Sequence, residues 1–414
     1  MTHTDSALTP RRELWLLLTV AGVQFTHIVD FMIIMPLGPQ FTQLFQISDA
    51  QFGTLVSAYT LSAGVSGLAS ATYVDRVDRK QLLLTLYGLF ALATLACGLA
   101  EDYVMLLLAR IAAGTFGGVL SALVQTIVAD VIPFERRGRA MGIVMSSFSA
   151  ATVAGVPLGL WLANHLGWHA AFISIALVSG LIAVAAFCSL PSMGQHLDRS
   201  GQRRSVLSGI QQVLAEPNHR RAFLFSGLLM SAGFTVIPFI TIYLQTNVGV
   251  VAEDIPYLYL FGGAATLVTA RWVGRLTDRH GKVRMFGWVA LAVTLPLIGL
   301  TVLPPTPFWV VVVVTTAFFV GMGGRMIPGM AIVTSAAAPA MRGTFMALNS
   351  ACQSAAMGLA SFVGGQIIAR DANGQVLNYA LAGLLGGVLM LLSVWVARHL
   401  VLHGAPPGPQ RVNP

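Results

Sequence analysis

Long runs of apolar residues recur along almost the whole chain, separated by short polar segments. About twelve of these runs hold roughly 18 or more mostly apolar residues, enough for a helix to cross a hydrocarbon core of about 30 Å. A backbone that faces lipid must satisfy its own hydrogen bonds, so we expect helices. The pattern predicts spans at residues 14–38, 50–72, 81–100, 104–130, 138–163, 168–190, 221–246, 255–276, 284–303, 308–335, 343–369 and 376–400.

Composition and the placement of charge agree with a membrane protein. The 414 residues are 56% hydrophobic and 10% charged, which leaves too little polar surface for a soluble globule. The net charge of +8 comes from basic residues in alternate loops, whereas the outer loops hold only Arg370. This asymmetry predicts that both chain ends are cytoplasmic, and it explains the basic charge without nucleic acid. The first span lacks a signal-peptide cleavage site and is too long for a signal-peptide core, so we expect a retained helix.

The spans divide into two sets of six. We predict a first bundle at 1–190, a cytoplasmic linker at 191–219, a second bundle at 220–402 and a tail at 403–414. Within the linker, VLSGIQQVL places five apolar residues on one helical face, which favours a short helix at the inner membrane surface. A flexible tether is the alternative. Cys97, Cys188 and Cys352 lie in predicted spans without metal-ligand spacing, so we expect packing residues and neither disulfides nor a metal site.

An internal repeat relates the two halves. TYVDRVDRK at 72–80 is echoed by GRLTDRHGK at 274–282, and the first aspartates, Asp75 and Asp278, are 203 residues apart. MGIVMSSFSAATVAGVPLG at 141–159 is echoed 205 residues later by MALNSACQSAAMGLASFVG at 346–364. The two similar offsets indicate a duplicated six-helix unit whose halves face each other across a central pathway.

The repeated loops resemble the signature of the major facilitator superfamily, in which Gly and Leu precede Asp-Arg, Gly and basic residues. The second copy matches at Gly274, Leu276, Asp278, Arg279, Gly281 and Lys282. The first copy keeps Asp75, Arg76, Arg79 and Lys80, with Ala71, Tyr73 and Asp78 at the departing positions. The resemblance implies an all-α membrane protein with twelve helices in two pseudo-symmetric bundles. It also implies that these loops latch the cytoplasmic side shut in the outward-open state; generic positive-inside charge is the alternative.

Two further motifs carry the resemblance. LLLARIAAGTFGG at 106–118 resembles the family's fourth-helix motif, with Arg110 and Gly114 at its key positions. AGVPLG at 154–159 resembles a reduced form of the fifth-helix motif of proton-driven antiporters, and we expect Gly155, Pro157 and Gly159 to bend that helix. The resemblance and the compact tails imply a multi-pass protein of the bacterial inner membrane. Because one chain holds both halves of a pathway, we expect a monomer, although an oligomer stays open.

Asp30 is the one acidic residue well inside a predicted span. Ionised and alone there, it would be disfavoured by several kcal/mol, so it must be protonated, paired or exposed to a water-filled cavity. Arg110 matches its expected depth and is the predicted partner. A partner that moves, or water that comes and goes, would let Asp30 load and release a proton. The alternative is a permanent structural ion pair.

Other polar residues in the spans are candidates for a proton path or a solute site. Gln24 and His27 extend a polar stripe from Asp30 toward the inside, where His27 is either a proton relay or a satisfied interior histidine. Arg325 lies deep in the tenth span and needs a partner: backbone carbonyls, a group of the other half, or an anionic part of a substrate. Asn349 and Gln353 form a neutral polar face for hydrogen-bonding a solute or a neighbouring helix.

The sequence offers no catalytic motif. It has no phosphate-binding glycine loop, HExxH or GxSxG, so we expect no enzyme activity and no cofactor. Without an ATP-binding domain, transport would use an existing gradient or be passive. We predict a secondary transporter that exports a small organic solute, such as a drug, sugar, nucleoside or siderophore, in exchange for protons. The alternatives are a proton-coupled or facilitative importer of a small polar metabolite, and a multi-span enzyme or sensor.

Overall fold

The computed structural model describes residues 10–70, 72–74, 77–191, 193, 206–338 and 341–403. The helices of the first half are α1 (Pro10–Ile33), α2 (Gly38–Leu44), α3 (Asp49–Ser70), α4 (Arg79–Gly98), α5 (Tyr103–Val131), α6 (Phe134–Ala150), α7 (Val156–Leu166) and α8 (Trp168–Ser189). The rest are α9 (Val206–Ala215), α10 (Pro217–Phe234), α11 (Ile240–Tyr243), α12 (Ile255–His280), α13 (Lys282–Thr301), α14 (Phe308–Ala336), α15 (Arg342–Ile367) and α16 (Tyr379–Ala397). Strands β1 (Ala369–Arg370) and β2 (Val376–Leu377) pair in one antiparallel hairpin.

The predicted all-helical membrane fold is confirmed. Within the described ranges, ten helical segments are long and apolar enough to cross a membrane by length and composition. The long helices α12 and α15, with 26 residues each, are more polar and lie against α14 and α3. The two pseudo-symmetric six-helix bundles follow the predicted order of spans. The linker residues 194–205 and the tail from 404 lie outside the described residues, so the proposed domain boundaries there stay predictions.

The first long helix of each half is interrupted at the same place. α1 ends at Ile33 and α10 at Phe234, and the interruptions contain Pro36 and Pro238, 202 residues apart. Proline has no N–H to donate and clashes with the preceding turn, which explains both breaks. The structure therefore divides the predicted spans at 14–38 and 221–246 near their outer ends.

The repeat seen in the sequence has a structural counterpart in helix packing. Gly159 lets α7 approach α1, because a methyl group there would lie 2.9 Å from Ile33 Cδ1. Gly364, its partner in the repeat, lets α15 approach the break after α10, because a methyl group would overlap the Thr235 carbonyl oxygen. The same small residue therefore serves the same close helix contact in both halves.

The amphipathic helix predicted in the linker is confirmed as α9, so the flexible-tether alternative is wrong for 206–215. α9 lies against α10 and α15, with Val213 fully buried. The buried His219 ring fixes the C-terminal end of α9. Its Nε2 accepts from the Ala338 N–H (3.2 Å), so Nδ1 carries the hydrogen and donates to the Val213 carbonyl (3.1 Å). This part of the linker is bound to the second bundle.

The two bundles meet closely at the outer face, by which we mean the end that holds the first turn of α3. A methyl group at Gly53 would lie 2.8 Å from the Ser361 carbonyl oxygen, and one at Gly365 would lie 2.9 Å from the Asp49 carbonyl oxygen. α3 and α15 therefore touch backbone to backbone. At the outer rim, Asn164 also donates to the Ala252 carbonyl across the bundles (2.9 Å).

An ion pair joins the bundles at the same face. Arg370 in β1 donates from Nε and Nη2 to the two carboxylate oxygens of Asp49, at 2.8 and 2.7 Å. The Asp49 residue is 3% exposed. The hydrogen bond to Asp49 raises the pKa of Arg370, while burial acts in the opposite direction and is the weaker effect. The guanidinium therefore stays charged at physiological pH. A bidentate pair of this kind fixes geometry as well as adding attraction, and it closes the outer face.

Removing this pair should open the outer face. We expect Asp49→Asn to lower the free energy that favours the closed outer face by about 1.5–3 kcal/mol, because hydrogen bonds to charged groups contribute about that much. Spin labels at Gln43→Cys and Asn373→Cys, in a background without native cysteines, would report the change as a longer and broader distance distribution. Glu101→Gln, which neutralises an exposed outer acid, is the control. An unchanged distribution in Asp49→Asn would show that the pair does not hold the face closed.

Candidate functional site

The polar stripe predicted on the first span lies along α5. Gln24 Nε2 donates to Ser121 Oγ (3.0 Å), and Ser121 Oγ donates back to Gln24 Oε1 (3.2 Å). One turn further, His27 lies against Gly117, and Asp30 reaches Arg110. Because α1 and α5 run in opposite directions, polar residues at helical spacing on each meet in pairs. The sequence therefore encodes one continuous polar seam inside the first bundle.

Asp30 and Arg110 form an ion pair that is closed to solvent. Both side chains are 0% exposed, and Arg110 Nη1 lies 3.1 Å from Asp30 Oδ2. The same nitrogen donates to the Asp30 backbone carbonyl (3.2 Å), and Thr94 Oγ1 donates to Asp30 Oδ1 (3.2 Å). The sequence places Asp30 well below the outer end of a longer helix, but it lies in the last turn of α1. The predicted partner is nevertheless the one that it meets.

The pair is held through one nitrogen. Arg110 Nε and Nη2 find no hydrogen-bond partner among the described atoms, although a guanidinium offers five N–H donors. Two charges out of water attract strongly, but removing either one leaves an uncompensated buried charge that costs several kcal/mol. A change in the protonation of Asp30 must therefore be answered by a change around Arg110.

Tyr59 completes this site and was not predicted. Its ring lies under the guanidinium, with Arg110 Cζ 4.2 Å from the ring centroid. Tyr59 is 2% exposed, and its hydroxyl lies close to the Asp30 carboxylate, although it makes no hydrogen bond of normal geometry with the described residues. A tyrosine in the middle of a span, rather than near an end where tyrosine is favoured, is the sequence signal that could have identified it.

His27 lies beside Tyr59 without a hydrogen bond. The two ring centroids are 6.4 Å apart, and both are close to Gly117, where a methyl group would lie 2.9 Å from His27 Cδ2 and 3.0 Å from the Tyr59 hydroxyl. Both His27 ring nitrogens are buried and unpartnered within the described part of the chain. This does not fit the alternative of a satisfied interior histidine. The relay role stays a prediction.

The fifth-span motif supports α1 from the other side. A π turn at Ala151–Gly155 interrupts the helix just before Pro157, where a bend is expected. A methyl group at Gly155 would overlap Val29, and one at Gly159 would press on Ile33. Val29 and Ile33 lie on either side of Asp30 in the sequence, so the glycines let the π turn and α7 pack closely against the segment of α1 that carries the acid.

The polar candidates of the second half are separate from this seam. Arg325 is 3% exposed; its Nη1 donates to the Leu229 carbonyl, and its Nε lies 3.2 Å from Met322 Sδ. Of the predicted partners, the structure brings it a backbone carbonyl, one turn before the break in α10. Asn349 is buried, and its Oδ1 is unpartnered in the part of the chain that the structure describes. Gln353 Nε2 lies 3.5 Å from Met330 Sδ.

The predicted gating loops are partly described. Asp75 and Arg76 lie outside the described residues. Arg79 forms an ion pair with Asp130, and Lys80 Nζ donates to the Leu190 carbonyl (2.6 Å), both within the first bundle. In the second copy, Asp278 and Arg279 are exposed, and a methyl group at Gly274 would meet open space.

Two loop positions have a local structural explanation. Gly281 has φ +87°, a conformation that favours glycine, and it ends α12 and begins α13. Asp78, which departs from the signature in the first copy, caps α4 through the Lys80 and Gln81 N–H groups.

Comparison with known proteins identifies the family. The chain matches the family model described as Major Facilitator Superfamily at residues 20–361 and 223–411. A relative from Pasteurella multocida (strain Pm70), named "Probable sugar efflux transporter", is 24% identical over 361 residues, which are 86% of this chain and 87% of that protein. The crystal structure of a bacterial homolog to the human lysosomal transporter Spinster, inward-facing and occupied, has a TM-score of 0.75 at 16% identity and covers 95% of this chain and 98% of that one.

A second solved structure shares the fold. The partially occluded inward open conformation of the xylose transporter XylE from E. coli has a TM-score of 0.73 at 14% identity, with 96% of this chain and 100% of that chain covered. With the family model spanning most of the sequence and two pseudo-symmetric six-helix bundles in the structure, the chain belongs to the major facilitator superfamily of membrane transporters.

Proposed function

We propose that this transporter exports a small organic solute across the bacterial inner membrane in exchange for protons, with Asp30 as the proton carrier. The observation that carries the proposal is a fully buried carboxylate held by one arginine nitrogen inside the first bundle. Asp49 is the other buried acid among the described residues, and it lies at the outer rim. The relative named for sugar efflux supports the direction of transport.

The exchange of solute for protons needs Asp30 to alternate between two partners, the Arg110 guanidinium and a proton. Ionised, Asp30 holds Arg110 and accepts from Thr94. A proton on the carboxylate removes the charge that attracts the guanidinium, so Arg110 must then be stabilised by other groups. Rocking of the bundles between inward- and outward-facing states would favour one partner in each state, which ties proton movement to solute movement. His27, with two unpartnered ring nitrogens, is the proposed relay.

The surroundings of Asp30 favour a proton over a sodium ion. A guanidinium nitrogen 3.1 Å from the carboxylate already supplies a positive charge, and a second cation beside it would be repelled. A proton neutralises Asp30 without needing a shell of several oxygen ligands. We therefore propose proton coupling rather than sodium coupling.

The solute site is proposed to use neutral polar groups. Gln24, Asn349 and Gln353 offer amide donors and acceptors, which suit a hydroxyl-rich solute. Arg325 remains a proposed contact for an anionic portion of the solute, in competition with the Leu229 carbonyl that it already binds. In the outward-open state, the repeated loops are proposed to close the inner face. The residues proposed for this role are Asp75, Arg76, Arg79, Lys80, Asp278 and Arg279.

Asp30→Asn should abolish coupling; because it leaves the Arg110 charge uncompensated, we also expect it to lower stability, so transport is measured on variant protein recovered folded from the membrane. The amide has nearly the same shape and its oxygen still accepts from Arg110, but it cannot gain and lose a proton. In proteoliposomes preloaded with radiolabelled xylose, lactose or uridine, we expect gradient-driven transport to fall at least tenfold, while exchange without a pH gradient persists. Glu253→Gln, an exposed acid in an outer loop, is the matched control. Normal gradient-driven transport by Asp30→Asn would refute the proton-carrier role. Wild-type protein that moves the solute in the same direction as the protons would indicate import.

Replacing sodium should have no effect on transport. With the pH gradient held constant, we expect the same initial rate in sodium, potassium and choline buffers, because no sodium ion is required beside Arg110. Collapsing the pH gradient with a protonophore is the positive control and should remove the driven component. A rate that depends on sodium but not on pH would contradict the proposed coupling ion.

A further inference from the structure

The hold on Arg110 is incomplete without Tyr59. Asp30 bonds only the Nη1 nitrogen, and a single hydrogen bond does not fix the plane of a guanidinium. The Tyr59 ring face, 4.2 Å from Arg110 Cζ, supplies the missing constraint through a cation–π contact in a water-free site. The ring face makes the contact with Arg110, while the Tyr59 hydroxyl lies toward the Asp30 carboxylate without a hydrogen bond of normal geometry.

The position of Tyr59 is set by direct contact between α3 and α5. A methyl group at Gly114 would overlap the Tyr59 carbonyl oxygen and Ser62 Oγ, and one at Gly118 would overlap the backbone of Ala63. At Gly118 the nearest atoms of α3 are backbone atoms, and at Gly114 they are backbone atoms and the short Ser62 side chain. A small displacement of α3 along α5 therefore moves the Tyr59 ring relative to the Arg110 side chain, which projects from α5.

The opposite side of α3 meets the second bundle at the next residues along the chain. A methyl group at Gly358 of α15 would lie 2.8 Å from Thr60 Oγ1 and 2.7 Å from Leu61 Cγ. Thr60 and Leu61 directly follow Tyr59. The contact between the bundles and the contact with Arg110 are therefore made by adjacent residues on one helix.

We infer that Tyr59 is a positioning residue that transmits the contact between the bundles to the Asp30–Arg110 pair. When rocking separates α15 from Thr60 and Leu61, α3 is released, the ring leaves the guanidinium, and Arg110 can move from Asp30 while a proton takes its place. The inference rests on the proposed proton exchange and adds the step that connects this exchange to bundle movement.

The test measures protons moved per solute molecule, since a merely structural role would not change this ratio. Proteoliposomes with an internal pH-sensitive dye and radiolabelled lactose give both fluxes; xylose or uridine replaces lactose if the wild type does not move it. We expect Tyr59→Leu to lower the ratio at least fivefold and Tyr59→Phe, which keeps the ring, to retain at least half of it. Tyr59→Met is a second variant without a ring, for use if Tyr59→Leu fails to reach the membrane.

Tyr87→Leu is the matched control, because Tyr87 is a buried tyrosine of the same bundle that bonds Thr26 instead of the ion pair. A double-mutant cycle adds a second arm. Gly358→Ala presses on α3 from the second bundle, so we expect it to lower the ratio at least twofold when Tyr59 is present and to have no further effect in Tyr59→Leu.

The outcomes separate two failures. If the wild type couples protons, Asp30→Asn does not, and Tyr59→Leu matches the wild type, only the role of Tyr59 is overturned. Independent effects of Gly358→Ala and Tyr59→Leu would also overturn it, because no path would then run through the ring. If the wild type moves solute without protons, the proposed function fails and the inference fails with it.

Discussion

A carboxylate and a guanidinium that are both closed to water must stay together as long as both are charged, and much of the first bundle is arranged around that requirement. Asp30 and Arg110 meet because α1 turns a polar stripe toward α5, and Thr94 on α4 takes the remaining carboxylate oxygen. Gly155 and Gly159 allow α7 to press on α1 at the residues beside Asp30. The pair costs desolvation energy that a pair of apolar side chains would not cost. The presence of this buried pair is therefore better explained by the proposed exchange of Arg110 for a proton at Asp30 than by a contribution to stability.

The second bundle repeats the framework without repeating the chemistry. Its first helix breaks at Pro238 as α1 breaks at Pro36, and Gly364 serves the helix contact that Gly159 serves in the first half. Arg325 is buried like Arg110, but the described residues give it a backbone carbonyl and methionine sulfurs instead of a carboxylate. A guanidinium with these partners has no acid beside it to protonate. This asymmetry agrees with a coupling site confined to one bundle.

Hydropathy and charge were sufficient to predict the order of helices and the partner of Asp30, and the repeated motifs were sufficient to predict the duplication. A lone acid in an apolar run can have few partners, and depth along the helix selected Arg110 from the sequence. The break at Pro36 and the hairpin at 369–377 were missed, and the bend expected at Gly155, Pro157 and Gly159 did not reveal the π turn at 151–155. Such features depend on backbone hydrogen bonding. A hydropathy profile does not record this, since the residues on both sides are about equally apolar.

Contacts between the bundles were missed for a different reason. Arg370 is recognisable in the sequence as the basic residue of the outer loops, but nothing local relates it to Asp49, which lies 321 residues away in the chain. Tyr59 likewise has no pattern that marks it as a neighbour of Arg110. Both contacts depend on how α3 is placed between α5 and α15, and small residues such as Gly53, Gly114 and Gly358 determine that placement through the absence of side chains.

The placement of α3 makes a long signalling path unnecessary. Asp49 and Tyr59 are ten residues apart on one uninterrupted helix, or about 15 Å at 1.5 Å per residue. One end is tied to the second bundle by Arg370, the middle touches Gly358, and the opposite side holds Arg110. A rigid helix with backbone contacts on both sides cannot keep all three when the bundles tilt. Closure of the outer face and the hold on Arg110 are therefore properties of the same element, and the proposed coupling of solute to protons needs only that this helix move as a unit.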